Sequence, residues 1–223
     1  MGKRVLIVGN SDGIGLALTK RLIDRGDHVL GVSRSDVASL GAQHRQHQLD
    51  ITASGFYEKL CEFIAADQVI DVAVYCAGIG EPFGTSGVVA DTDTIRVNFG
   101  GLADTVRAVL PGMRERKKGQ IIGVSSIGDL ASASAPAYGA SKAGVTAYLR
   151  GLRRPLGALG VRVSVVRLGF VATKMAKSDF RPFMITPDAA ASVLLNVVDQ
   201  APASKTHPWT MHVLTRILSP FMA

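Results

Sequence analysis

The sequence predicts a doubly wound α/β fold, one parallel sheet with helices packed on both faces. Three observations predict it. Runs apolar at nearly every position, residues 4–9, 28–32 and 69–76 among them, have the pattern of strands buried on both faces. Stretches with apolar residues three and four apart alternate with those runs, as helices would. Glycines and hydroxyls gather where a run ends and the next helix begins, the carboxyl edge at which open parallel sheets bind ligands.

Composition bounds the rest. At 223 residues and 47% hydrophobic, the chain can bury one sizeable core, and residues 1–223 read as a single domain. Its two cysteines, Cys61 and Cys76, lie inside apolar runs and read as core thiols of a reducing compartment, not as a disulfide framework. The five histidines show no ligand spacing with them, so no metal site is expected. No signal-like segment precedes the first strand and no apolar run reaches the length of a membrane span, which predicts a cytoplasmic chain without a membrane partner.

The net charge of +7 raises the question of nucleic acid. The densest cluster, residues 114–118, falls where a helix should end; cations there complement the helix dipole, and Gly119 would supply the left-handed cap. Arg150, Arg153 and Arg154 share a helix without interleaved aromatics. Both clusters read as solvated faces, and no nucleic-acid partner is expected.

In chain order, the strand at 4–9 runs straight into Gly9-Asn10-Ser11-Asp12-Gly13-Ile14-Gly15 and then a helical pattern through Leu16, Leu18, Leu22 and Ile23. Strand, glycine loop and helix are the context for a dinucleotide: glycines let the backbone approach a pyrophosphate held at a helix N-terminus. The spacing is Gly-x3-Gly-x-Gly rather than the commoner Gly-x-Gly-x-x-Gly. The second strand ends in Ser33-Arg34-Ser35, where an acidic residue would select NAD. An arginine between two serines suits a 2′-phosphate instead, so NADP(H) is favoured over NAD(H); Asp36 is a weaker candidate for a ribose contact.

A short third strand is expected at 46–50, closing on Asp50-Ile51-Thr52, then a helix at about 53–66. The strand at 69–76 runs into Ala77-Gly78-Ile79-Gly80. Residues 91–118 read as one long helix bent at Pro111 and carrying Asn98. Residues 120–126 read as a strand ending in Ser125 and Ser126, and Tyr138 and Lys142 stand four apart on the helix beyond, so phenol and ammonium share a face. A hydroxyl, a phenol and a cation would converge there, a set suited to moving a proton at an oxygen during carbonyl and alcohol interconversion. A nearby ammonium would lower the tyrosine's pKa towards working pH.

The sixth strand, 161–168, leads to Gly169-Phe170-Val171-Ala172-Thr173. Residues 174–187, with Phe180, Pro182, Phe183 and Met184, read as an apolar lid over a small-molecule substrate or a packed surface loop. A helix at 187–198 follows, and the apolar tail at 205–223 suggests a last strand or an intersubunit contact.

These residues together resemble the short-chain dehydrogenase/reductase family over nearly the whole chain, which implies a Rossmann-type three-layer fold. Gly9 to Gly15 resembles its cofactor loop, Asp50 and Ile51 its adenine-contacting segment, and Cys76-Ala77-Gly78 its Asn-Ala-Gly support of the sheet. Gly169, Val171 and Thr173 resemble the Pro-Gly-x-x-x-Thr segment around the nicotinamide. Asn98, Ser126, Tyr138 and Lys142 match the catalytic positions. The resemblance implies that Ser126 polarises the substrate oxygen, Tyr138 exchanges its proton and Lys142 lowers the tyrosine pKa while holding the nicotinamide ribose. Asn98 would anchor a relay water. It also implies a homodimer or homotetramer formed through the helices at 91–118 and 136–159.

Departures are visible. Cys76 replaces the Asn, and Leu168 stands where the family has Pro. Ser126 to Tyr138 spans twelve residues, one fewer than usual, so counting back selects Ser125 while strand register selects Ser126, which we prefer. The family's closing Gly-Gly strand is not evident. A non-catalytic NADP(H)-binding sensor or scaffold on the same fold is the alternative, against which the four intact catalytic positions stand.

Overall fold

The computed structural model describes residues 2–66, 69–80, 87–129, 135–175 and 182–210. Of the expected lid, residues 176–181 lie outside these, and so do residues 211–223 of the expected tail.

Among the described residues, seven strands form one parallel sheet: β1 (Arg4–Val8), β2 (His28–Ser33), β3 (His44–Gln48), β4 (Val72–Tyr75), β5 (Gly119–Ser126), β6 (Val161–Leu168) and β7 (Ser204–His207). Their order is β3-β2-β1-β4-β5-β6-β7. The chain therefore winds outward from β1 in one direction and, from β4, in the other, which leaves a crevice at the carboxyl ends of β1 and β4.

Period-two alternation splits the core between the two faces. From β1, Leu6 and Val8 turn to one side, where they pack with Phe56 and Leu60 of α2 (Phe56–Ala65), Leu102 and Val106 of α4 (Gly101–Glu115) and Leu149 of α5 (Pro136–Gly157). Val5 and Ile7 turn to the other side, against Leu18 and Leu22 of α1 (Gly13–Asp24) and Leu194 and Val197 of α6 (Pro187–Gln200). Caps fix where two helices start: the Asp12 carboxylate accepts from Gly13 N at 2.7 Å, and Thr186 Oγ1 accepts from Ala189 N at 3.1 Å.

The expected single helix over 91–118 is instead α3 (Gly87–Ile95), a π-turn at Arg96–Gly100, and α4. The break comes at the π-turn rather than at Pro111, which α4 contains. Within that turn Gly101 N bonds Arg96 O, five residues back, and the Tyr75 hydroxyl donates to Val97 O. A Cβ on Gly101 would lie 2.3 Å from that hydroxyl and 2.5 Å from Ile51 Cγ2, so only glycine lets the helix lie this close to β4.

Other expectations shift. The left-handed residue after α4 is Lys117 (φ 50°), not Gly119. Gly119 opens β5, buried, where a Cβ would come within 2.5 Å of Met113 Cγ and Sδ. The third strand begins and ends two residues earlier than expected, which leaves Asp50 in the turn beyond it. The last strand takes up residues 204–207, at the start of the expected tail, and is polar, Ser-Lys-Thr-His.

Gly101→Ala should lower stability by about 1–3 kcal/mol, the usual cost of overpacking a filled core. Urea unfolding measures it. An unchanged midpoint would mean that the contact between Tyr75 and the π-turn does not constrain the helix.

Candidate active site

Tyr138 lies in the first turn of α5 and Lys142 one turn on. The Lys142 ammonium is buried, donates to Val124 O at 3.0 Å, and sits 5.8 Å from the centre of the Tyr138 ring. Burial pulls its pKa down to about 8, with the nearby Cys76 thiol opposing. Desolvation pushes the Cys76 thiol itself up to about 12. Burial also raises Tyr138; the Ser126 hydroxyl, within hydrogen-bonding reach of the phenol, pulls it down, and Asp129 adds a smaller upward push. The expected lowering of Tyr138 towards working pH is therefore not what this arrangement produces, because desolvation outweighs the polar help. Both groups are biased towards their neutral forms.

Strand register separates the two serines. Ser125 pairs with Arg167 and Ser126 with Leu168 across β5 and β6. Ser125 turns under α5, where its hydroxyl contacts Lys142 O at 3.0 Å and Thr146 Oγ1 at 2.8 Å. Ser126 Oγ stays at the strand end and accepts from Gly128 N at 3.0 Å. A Cβ on Gly128 would sit 3.4 Å from that oxygen and 3.6 Å from Tyr138 Cε1, so serine and tyrosine flank one glycine.

Asn98 occupies the middle of the π-turn and is fully buried. Its Oδ1 accepts from Ile79 N and its Nδ2 donates to Ile79 O, each at 2.8 Å; Nδ2 also reaches Ser141 Oγ at 2.9 Å. The strand-end segment after β4 is thereby pinned above the Tyr138/Lys142 face. A Cβ on Gly78 would lie 3.3 Å from Lys142 Nζ, and one on Gly80 would lie 2.7 Å from Tyr138 Cδ2. Gly80, which alternates with Gly78, is a further residue of the candidate site that the family resemblance does not mark.

At the end of β1 the glycine loop is closed by its own geometry. Gly9 has φ 92° and a Cβ there would meet Ala77 N at 2.4 Å; a Cβ on Gly15 would meet Gly9 O at 1.9 Å. The loop thus presents bare backbone at the N-terminus of α1, a cradle that side chains would fill. Ser11 and Ile14 lie in this loop and first turn. Beneath it Asn10, also buried, pairs with Gln46 (Nδ2 to Oε1, 2.7 Å), and Gln46 Nε2 reaches Ser33 Oγ at 2.8 Å. Gly31 in mid-strand makes room for this pair, since a Cβ there would lie 2.1 Å from Asn10 Nδ2.

Ser33 is committed to the protein, donating to Ser35 O at 2.8 Å, whereas Arg34 is exposed. The Asp50 carboxylate accepts from the backbone N–H and hydroxyl of Thr52, each at 2.8 Å; these bonds, with a smaller contribution from Arg34, hold it below the usual carboxylate range. Ile51 points its side chain into the core near Gly101.

Past β6, Gly169 N bonds His207 O at 2.9 Å, and Val171 pairs with Ile185, which brings the far end of the expected lid back to the strand. Thr173 lies against the glycine loop, its Cγ2 3.0 Å from where a Gly13 Cβ would be. Beside it Lys174 bridges to Asp12 at 2.8 Å, which draws the Asp12 carboxyl below its usual range. Leu168, in place of proline, completes the strand ladder and buries its side chain on the α1/α6 side.

Known chains share this sequence pattern and this fold. The family model for short chain dehydrogenases matches residues 3–182. An uncharacterized oxidoreductase of Myxococcus xanthus is 30% identical over 96% of this chain and 91% of its own length. A 3-oxoacyl-(acyl-carrier-protein) reductase of Salmonella typhimurium is 30% identical over 88% of this chain and 82% of its own. Among solved structures, a short-chain dehydrogenase of Burkholderia cenocepacia in complex with NADP superposes with a TM-score of 0.87 at 23% identity, covering 98% of this chain and 93% of that one. This chain belongs to the short-chain dehydrogenase/reductase family of oxidoreductases.

The depressed Lys142 has a consequence for stability. Its value falls from the usual 10.5 in the unfolded chain to about 8 when folded. Between those values the unfolded chain binds more protons, so stability rises with pH across that window, and the burial penalty is fully present below it. Lys142→Met should therefore stabilise the protein near neutral pH by about 1–3 kcal/mol, a gain that shrinks as pH rises through that window. Denaturant titrations at both ends of the window check this. A gain independent of pH would mean that Lys142 is not held against its charge.

Proposed function

We propose that this protein is an NADP(H)-dependent oxidoreductase that transfers a hydride between the nicotinamide and a carbonyl or secondary alcohol of a small, largely apolar substrate. One observation carries the reading: the Tyr138 phenol stands within hydrogen-bonding reach of Ser126 and one helical turn from the buried Lys142 ammonium, at the carboxyl edge of the sheet.

The cofactor's residues fit the group. Backbone at Gly9, Ser11, Asp12, Gly13, Ile14 and Gly15 would hold the pyrophosphate, with Lys174, bridged to Asp12, offsetting that carboxylate's charge beside it. Exposed Arg34 and neighbouring Ser35 would take a 2′-phosphate, Ser33 would shape their turn, and Asp50 and Ile51 would border the adenine. Ala77, Gly78, Gly169, Val171 and Thr173 would line the nicotinamide end. When bound, the nicotinamide supplies or accepts the hydride.

Ser126 Oγ holds and polarises the substrate oxygen. Tyr138 gives its proton to that oxygen in reduction and takes it back in oxidation; a phenol kept neutral by burial is ready as the acid. Lys142 stabilises the phenolate left behind and would also hold the nicotinamide ribose. The Asn98 side chain is committed to Ile79 and Ser141, so a relay water would be held through the backbone. The same reading makes the enzyme a cytoplasmic single-domain protein, a homodimer or homotetramer packed through α4 and α5. Because relatives of this chain are named for 3-oxoacyl reduction, 3-oxoacyl compounds head the carbonyl screen.

Fluorescence titration with NADPH and NADH tests the cofactor. NADPH should bind at least about tenfold tighter, and Arg34→Ala should erase that preference. Equal losses for both cofactors would remove Arg34 from the 2′-phosphate. Tyr138→Phe should keep NADPH affinity while kcat falls by about 10²–10⁴, and full turnover in that variant would sink the assignment.

A further inference from the structure

Asp129 and Arg167 lie 38 residues apart in sequence, on the turn after Ser126 and on β6, and neither has a place in the reaction so far. Their side chains are each 3% exposed and paired through two hydrogen bonds, Arg167 Nε to Asp129 Oδ2 at 2.8 Å and Nη2 to Oδ1. A desolvated carboxylate and guanidinium persist only where both are well satisfied. Asp129 Oδ2 also accepts from Thr146 Oγ1 at 2.7 Å. Thr146 stands four residues past Lys142, so Tyr138, Lys142 and Thr146 form one stripe along α5.

The chain of contacts continues. Thr146 gives its single hydroxyl proton to the carboxylate, and the one proton of Ser125 is then shared between Thr146 Oγ1 and the Lys142 carbonyl. β5, the turn after it, β6 and the Tyr138/Lys142 helix are thereby joined by one buried network. We propose that the Asp129–Arg167 pair is the positioning element of this site: it locks the Tyr138/Lys142 face of α5 against the ends of β5 and β6 and sets a fixed negative charge before the phenol. Neither residue touches the reacting atoms.

Among the described residues the ionisable groups that bear on Tyr138 are Lys142 from its own helix and Asp129 from the turn after β5, with Cys76 at the end of β4 acting on Lys142. Arg167 stands behind Asp129 on β6. Of the charged side chains, Asp129 is the one that raises Tyr138, a smaller push than that of burial and in the same direction, towards the protonated form that donates in reduction. The inference rests on Tyr138 being the acid of the proposed reaction, but its test reads the phenol itself and needs no substrate.

The test is an ultraviolet titration of tyrosinate in the full-length protein, with Tyr138→Phe subtracted to isolate this ring, and melting temperatures measured in parallel. Asp129→Asn should move the Tyr138 midpoint down by about half a pH unit or more, and Asp129→Glu should return it. The Asp129→Asn change alone takes the carboxylate away from a buried guanidinium. The double variant Asp129→Asn/Arg167→Gln, which removes both charges, should still shift the midpoint down, by less than Asp129→Asn alone, because loss of the more distant guanidinium acts in the opposite direction. A midpoint that stays put in the folded double variant, whatever happens to melting, would make the pair a structural brace only and overturn the proposal.

Discussion

The seam between β5 and α5 is the constraint on which the site depends. Two contacts fasten it at one place: Lys142 Nζ donates to Val124 O, and Ser125 Oγ reaches the Lys142 carbonyl. A buried ammonium without an acceptor would be too costly to keep, so the helix is held where the last carbonyls of β5 can receive it. Tyr138, one turn earlier, is then carried to the strand end where Ser126 stands. The arrangement of Ser126, Tyr138 and Lys142 follows from a strand, a helix and the need to satisfy one buried cation.

The rest of the edge is organised around that seam. The π-turn moves Asn98 under the strand-end segment after β4, where it pins Ile79 by both backbone groups. Gly78 and Gly80 then pass close over Lys142 and Tyr138: a Cβ on Gly80 would press into the Tyr138 ring, and one on Gly78 would be tight against the Lys142 ammonium. Water is displaced from both groups, which drives the phenol up and the ammonium down. A tyrosine that keeps its proton beside a lysine ready to lose one is the pair that the proposed proton transfer needs.

Sequence made the interior legible and left the margins obscure, for a physical reason. Central strands such as β1 and β5 are buried on both faces and read as apolar runs; β3 and β7 are the two edges of the sheet, and His-Arg-Gln-His-Gln and Ser-Lys-Thr-His carry no such signal. The choice of Ser126 beside Tyr138 came from register, because alternation fixes side-chain direction even when a loop is one residue short. The π-turn was not read from the sequence, although the five-residue step from Val97 to Leu102, across the Gly100-Gly101 pair, is its trace. Asp129 and Arg167 belong to no motif; the register that sets Arg167 opposite Ser125 and the turn that follows β5 bring them together. The expected depression of the Tyr138 pKa failed because sequence shows which charges are near but not how much water is lost.

The most direct test of the central claim follows the hydride itself. Purified protein incubated with C4-deuterated NADPH and a panel of carbonyls led by 3-oxoacyl compounds should yield an alcohol bearing deuterium on its carbinol carbon, one for each NADPH consumed. NADPH that binds tightly while no deuterium reaches any carbonyl in the panel would contradict the account and point to a protein that senses the cofactor rather than uses it.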